Sequence, residues 1–249
     1  MKISVIMQSY LGEYPGSRTN PKEKFIRAVN SFLAQKHEDK ELIIVADKCK
    51  LTVDIYNAFY KDISEIKCFY YEDESSGMMY KDFYRGVPRQ FGIDKSEGEI
   101  IAYLDSDDVI LPDHLLNASK VFKEINMSNS NVKWISNPLR FLNIKALTSD
   151  EFSQKRDTYL NLRNFYFFNY GIIDEFFLNL AVPNNMVFTA THAIFHKKNI
   201  PTKWLDVPKT EGMSEDLFFV KRLLDECGIH KTLMSPTYIV CHHKWIWDN

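Results

Sequence analysis

Three carboxylates stand within four consecutive residues at Asp105, Ser106, Asp107 and Asp108, inside the stretch Gly98 to Leu115, GEIIAYLDSDDVILPDHL. An apolar run closes on these acids and the chain restarts through Pro112. Acids this close repel one another, so the cluster is either an exposed acidic turn or a site that receives a cation. Asp105 and Asp107 are two apart, a spacing that turns both side chains to one face of extended backbone, where they can share a divalent ion. So few carboxylates cannot complete six-coordination. Water and a bound diphosphate would have to fill the shell of a magnesium or manganese ion. Other polar residues gather at comparable places: Gln8, Ser9 and Tyr10 after one apolar run, Asp47 at the end of another, and Glu215-Asp216 behind Ser214.

The elements expected to carry them alternate. Ile3 to Met7 reads as a buried strand, Asn20-Pro21 opens a helix with Phe25, Ile26, Val29, Phe32 and Leu33 on one face, and Glu41 to Ala46 reads as a second strand. Leu51 to Ile63 is expected to be helical, Lys67 to Tyr71 a strand, Pro88 to Ile93 a helix start, Glu99 to Leu104 a strand and Pro112 to Ile125 a helix. Val132 to Ser136, Met186 to Phe195 and Lys231 to Val240 read as further strands. Ser214 is expected to cap a helix that Gly228 stops. Between Pro138 and Asn185 the pattern weakens; Thr148 to Arg163 has helical character, and Phe165 to Leu180 is aromatic and amphipathic. Alternation of strand and helix implies an α/β fold with a mostly parallel sheet, whose ligands bind beyond the carboxyl ends of the strands. Ser9/Tyr10, Asp47 and Asp105 to Asp108 are all expected at that edge.

At 249 residues, with 45% hydrophobic and 26% charged residues, the chain can bury a substantial core, and no repeat or linker divides it. A single domain over 1–249 is expected. A net charge of -2 argues against sequence-independent nucleic-acid binding. Cys49, Cys68, Cys227 and Cys241 include no C-x-x-C pair, which favours reduced core thiols over zinc or disulfides. MKISVIMQSY is too short for a signal h-region and no stretch has transmembrane length, so a cytoplasmic protein is expected.

The motifs ISVIMQSY, ELIIVAD, Arg89-Gln90-Phe91-Gly92-Ile93, GEIIAYLDSDD with VILPDHLL, and Ser214-Glu215-Asp216 occur in an order that resembles glycosyltransferase family 2, the inverting enzymes of GT-A fold. The resemblance is strong from Ile3 to about Leu115 and weaker to Gly228. It implies a Rossmann-like nucleotide-sugar-binding half over 1–137, an acceptor-binding half with the catalytic base over 138–249, and the transfer of one sugar from a nucleotide diphosphate donor, a UDP-sugar, to a hydroxyl of a glycan or lipid-linked acceptor. It also implies that Tyr10 stacks on the base with Gln8 and Ser9 beside it, that Asp47 hydrogen-bonds the base, and that Arg89 faces the nucleotide or its phosphates. Asp105 and Ser106 would lie near the ribose, Asp107 and Asp105 would bind Mn2+ or Mg2+, and His242 or His243 is a candidate third ligand. Asp216 resembles the family's general base.

Departures narrow this picture. Ala46 stands where the family often has another Asp, and the Q-x-x-R-W motif of processive synthases is missing, which fits single transfer. His192 and His196 read as core or acceptor-side residues, with no acid between them for a zinc-protease motif. Trp245 and Trp247 suit packing, closure over a donor or an interface. The aromatic segment after Pro138 suits peripheral contact at the inner membrane face. Two rivals are a nucleotidyltransferase, whose Gly- and Lys/Arg-rich loop Leu11 to Arg18 matches poorly, and a non-catalytic nucleotide-sugar binding protein, which would have no need of Asp216.

Overall fold

Two apolar runs without polar interruption become the centre of the sheet: β1, Ile3–Ser9, and β2, Lys40–Asp47, are buried along almost their whole length. Burial on both faces is what such a run needs, and parallel strands covered by helices provide it. The computed structural model describes residues 1–12, 20–73, 83–137, 139–141, 194–211, 214–228, 231–233 and 237–240.

The described elements continue with α1, Pro21–Leu33; α2, Lys50–Phe59; β3, Ile66–Tyr71; β4, Phe83–Tyr84; and α3, Val87–Lys95. Then come β5, Ile100–Tyr103; β6, Val109–Ile110; α4, His114–Met127; β7, Trp134–Ser136; and β8, Leu139–Phe141. The last are β9, Ile194–Lys197; β10, Val207–Pro208; α5, Glu215–Cys227; β11, Lys231–Thr232; and β12, Tyr238–Val240. Among the described residues the main sheet has the order β11-β7-β9-β5-β1-β2-β3. Its pairings are parallel except at β9, which runs antiparallel to both β5 and β7. A mixed α/β fold with a mostly parallel sheet is what the sequence predicts.

Strand alternation divides the core between the sheet's faces. Val5, Met7, Leu42, Ile44 and Ala102 pack with Phe25, Val29 and Phe32 of α1 and Leu115 and Phe122 of α4. Ile6, Ile43, Val45, Ile101 and Tyr103 pack with Ile93 of α3 and Phe219 and Leu223 of α5. Gly92 lets α3 lie directly on the sheet, because a Cβ there would come within 2.7 Å of Ile6 Cγ2 and 2.9 Å of Val45 Cγ2. At the amino ends of the strands Glu41, 1% exposed, accepts from Ser4 Oγ at 2.6 Å and pairs with Lys67 at 3.1 Å and Lys2 at 3.4 Å.

Several boundaries differ from expectation. Asn20 adopts a left-handed φ of 52° and makes no side-chain cap, so Pro21 alone sets the start of α1. Pro112 lies in a turn and α4 begins two residues later. The expected strand Lys231 to Val240 is divided: β11 joins the main sheet beside β7, while β12 joins a separate sheet between β6 and β8. β6 itself was not expected. Its two residues are too few for a periodic signal. Ser214 Oγ does accept from Leu217 N, and Gly228, at φ 67°, ends α5. Cys49, Cys68 and Cys227 are free thiols, and Cys241 lies outside the described residues. No helix among the described residues is long and apolar enough to cross a membrane.

Candidate active site

The carboxyl ends of β1, β2 and β5 lie side by side, because Gln8 is in register with Val45, Ser9 with Ala46, and Ile6 with Tyr103. This is the edge where open parallel sheets bind ligands. Asp47 closes β2 and is fully buried. Gln8 Nε2 donates to its Oδ2 at 3.1 Å, and Arg85 Nε lies 3.7 Å from the same oxygen. Burial pushes the Asp47 carboxyl up to about 6, against the Arg85 guanidinium and the Gln8 hydrogen bond, while Asp73 and Asp206 add to the rise. Ser9 is spent elsewhere: its hydroxyl is 2.9 Å from Thr52 Oγ1, tying β1 to α2. Tyr10 is half-buried and its ring folds over Gly12, where a Cβ would come within 2.8 Å of Cζ.

After β5 the chain turns through the acidic cluster, with Asp108 N donating to Asp105 O at 3.1 Å. Tyr238 of β12 fastens the turn, since its hydroxyl accepts from Asp105 N and donates to Asp108 Oδ2, both at 3.0 Å. Arg27 of α1 donates to the Asp107 carbonyl. Asp107 and Asp108 are buried, Ser106 and Asp105 half-buried. One carboxylate oxygen from each of Asp105, Asp107 and Asp108 can be chosen so that all lie within 4.8 Å of one another. An all-oxygen set of this span fits a hard divalent cation such as magnesium or manganese, with further ligands supplied from outside the turn.

Arg89 of α3 joins this turn to the start of α5. Its Nη2 is 3.2 Å from Asp105 Oδ1 and its Nη1 is 3.0 Å from Glu215 Oε1, with the Trp204 ring 4.9 Å from the guanidinium carbon. The charges of Asp216, Asp105 and Glu215 hold the Arg89 guanidinium protonated against its burial. Burial and the adjacent Asp216 push the Glu215 carboxyl up despite that cation. One guanidinium thus joins Asp105 and Glu215.

The expected residues Gln8, Ser9, Tyr10, Asp47, Arg89, Asp105, Ser106 and Asp107 are thus gathered at one edge, and Arg89 brings the start of α5, where Asp216 stands, to the same place. His192, His242 and His243 lie outside the described residues, as do Trp245, Trp247 and the aromatic segment Phe165 to Leu180. His196 is a core residue: its Nε2 is 2.5 Å from Tyr103 Oη, and burial lowers it to about 4. Sequence reasoning missed Arg85, Arg27 and Tyr238. Neither Arg85 nor Tyr238 left a local signal, because their partners Asp206 and Asp108 are 121 and 130 residues away.

Residues 19–180 match the profile described as Glycosyl transferase family 2. The chain belongs to that family. Its sequence is 30% identical over 125 residues to an uncharacterised glycosyltransferase of Nostoc sp., which covers 49% of this chain and 33% of the relative. It is 29% identical over 133 residues to one of Rickettsia conorii, covering 53% of this chain and 19% of the relative. The chain therefore spans a third or less of the length of these relatives. In structure it is similar to S. aureus TarS 1-349 in complex with UDP-GlcNAc, with a TM-score of 0.65 at 16% identity over 98% of this chain and 59% of that one. A second structure of S. aureus TarS 1-349 gives 0.64 at 17% identity over 97% of this chain and 60% of that one.

Proposed function

We propose that this glycosyltransferase moves a single sugar from a UDP-sugar to an acceptor hydroxyl with inversion at the anomeric carbon. The observation that carries the reading is the Arg89 bridge, which joins the acidic turn at Asp105 to Glu215, beside Asp216. In this reading Asp47 and Gln8 receive the base and Tyr10 stacks on it. Asp216 takes the proton of the acceptor hydroxyl as its oxygen attacks the anomeric carbon opposite the leaving diphosphate. Asp107 and Asp105 would hold Mn2+ or Mg2+, which when bound stabilises charge on the diphosphate. Arg89 holds the acidic turn against the start of α5, so the donor and base ends of the site keep a fixed separation.

β12 runs antiparallel to β6, with Tyr238 opposite Ile110 and Ile239 opposite Val109. β12 therefore runs toward the acidic turn, and in this reading His242 or His243 is a further metal ligand. The acceptor is a glycan or a lipid-linked saccharide, received by the half of the domain after residue 137, with peripheral contact at the inner membrane face when it is lipid-linked. The bound UDP-GlcNAc of the similar TarS structure supports a uridine donor.

Incubation with manganese and a panel of nucleotide sugars, reading release of nucleoside diphosphate, tests the proposal. Release from UDP-sugars that Asp216→Asn abolishes while UDP binding persists is the expected result. Full transfer by Asp216→Asn would remove Asp216 as base, and release that survives Asp107→Ala would remove the metal role.

A further inference from the structure

The segment between β9 and β10 touches α3 at every level of its first turns. Trp204 N donates to Gln90 Oε1 at 3.1 Å, and the Trp204 ring lies beneath Arg89. That ring is itself fixed, stacked on Phe219 of α5 at 4.2 Å and donating from Nε1 to Tyr103 Oη at 2.8 Å. Next, the Leu205 carbonyl approaches so closely that a Cβ on Gly86 would come within 2.2 Å of it. Finally Asp206 Oδ1 accepts from Gly86 N and Val87 N, both at 2.9 Å, and its Oδ2 pairs with Arg85 Nη1 at 2.5 Å. The carboxylate thus caps the helix and neutralises part of Arg85 at once.

We infer that Trp204–Leu205–Asp206 is a clamp that draws Arg85 partly away from Asp47 and supports Arg89 against Asp105 and Glu215, which makes Trp204 and Asp206 positioning residues for both ends of the site. Neither residue touches the acids directly. Each acts through an arginine: Asp206 competes with Asp47 and Asp73 for Arg85, and Trp204 supports Arg89 through its ring face. A helix cap alone would need only an oxygen at Asp206, whereas control of Asp47 needs its charge. The bearing of the clamp on donor binding rests on the function proposed above; its geometry does not.

Asp206→Asn separates the two roles, because the amide oxygen can still cap α3 while the charge on Arg85 is lost. Asp47 is faced by Gln8, Arg85, Asp73 and Asp206, and of these only Asp206 changes. A carbon-detected NMR titration of the Asp47 carboxyl, assigned with Asp47→Asn, reads the result without any ligand. The Asp47 midpoint should fall by about half a pH unit or more in Asp206→Asn, since one repelling charge is gone and Arg85 turns more fully to Asp47. An unchanged midpoint in the folded variant overturns the clamp. For the second arm, Trp204→Phe keeps a ring under Arg89 and Trp204→Leu does not, so exchange of the Arg89 Nε proton should stay slow in the first and quicken in the second. Equal exchange in both removes Trp204 from the clamp. Calorimetry with UDP then reads the consequence: the acid limb of affinity should move with the Asp47 midpoint, and a fixed limb overturns the link to the donor. Wild-type protein that binds no UDP at any pH sinks the donor reading instead, while the titration still decides the clamp.

Discussion

Asp47 is held at a cost. Its folded-state value of about 6 lies above that of an exposed aspartate, so it contributes most favourably when protonated, and that contribution is lost as pH rises through about 6. At pH 7.5 the ionised group is a net burden. Asp47→Asn should therefore raise the melting temperature at pH 7.5, by the equivalent of about 1 kcal/mol and at most about 3, with the gain vanishing toward pH 4. The same variant should lose UDP affinity; equal or lower stability at pH 7.5 would show that Arg85 compensates the burial in full. Arg89 predicts the opposite balance. Arg89→Met leaves Asp105 and Glu215 without their shared cation and should destabilise the fold by about 3 kcal/mol at pH 7.5. Acidification should recover part of the loss as the acids take up protons, and thermal melts across pH check both directions. Asp47 and the acid cluster were legible in the sequence because each closes or follows an apolar run, and Arg89 because it stands behind Pro88 in the resembling segment. Arg85 and Tyr238 were not, since their roles come from partners brought close only by the fold.

Among the elements, α3 is the most constrained, seated on β1 and β2 through Gly92. Gly92→Val would force its branches into Ile6 and Val45, which lie within 3 Å of the added Cβ. A destabilisation of about 1–3 kcal/mol is expected, with loss of UDP affinity because Arg89 moves with the helix; denaturant unfolding and calorimetry measure the two. α5 depends on a smaller device, the Ser214 cap, and Ser214→Ala should cost about 1 kcal/mol. α3 and α5 were both foreseen, but for different reasons. α5 carries cap, apolar stripe and stop in its own residues, whereas Pro88 gave only the start of α3 and Gly92 hinted at close approach without naming the strands approached. The two-residue strands β4, β6 and β10 left no local signal at all, and the antiparallel β9 cannot be told from a parallel strand by its own sequence.

For the whole molecule, the two ends of the sheet do different work. The amino end is stitched by Glu41, whose carboxyl burial alone would push up, but which Ser4, the Glu97 amide, Lys67 and Lys2 together hold below the usual range. Its stabilisation is present above the unfolded value and lost as pH falls through the depressed one. Acid unfolding should accordingly begin at higher pH in Lys67→Met than in the wild type, followed by circular dichroism; an unshifted acid transition would make the pairing dispensable. The carboxyl end instead carries acids that share Arg85 and Arg89, so the carboxylate held below its usual range lies at one end of the sheet and the candidate site at the other.

The reversed strand β9 has a consequence for how the chain is made. β1, β2, β3 and β5 are complete once residue 103 has been synthesised, yet among the described residues the flank of β5 has no neighbour until Ile194–Lys197 arrives. For about ninety residues of synthesis a buried-type strand presents open backbone donors and acceptors, the arrangement that invites pairing with another chain. A nascent or truncated chain stopped before residue 194 should thus be a chaperone client that aggregates through β5, and one extended past residue 197 should be released from that hazard.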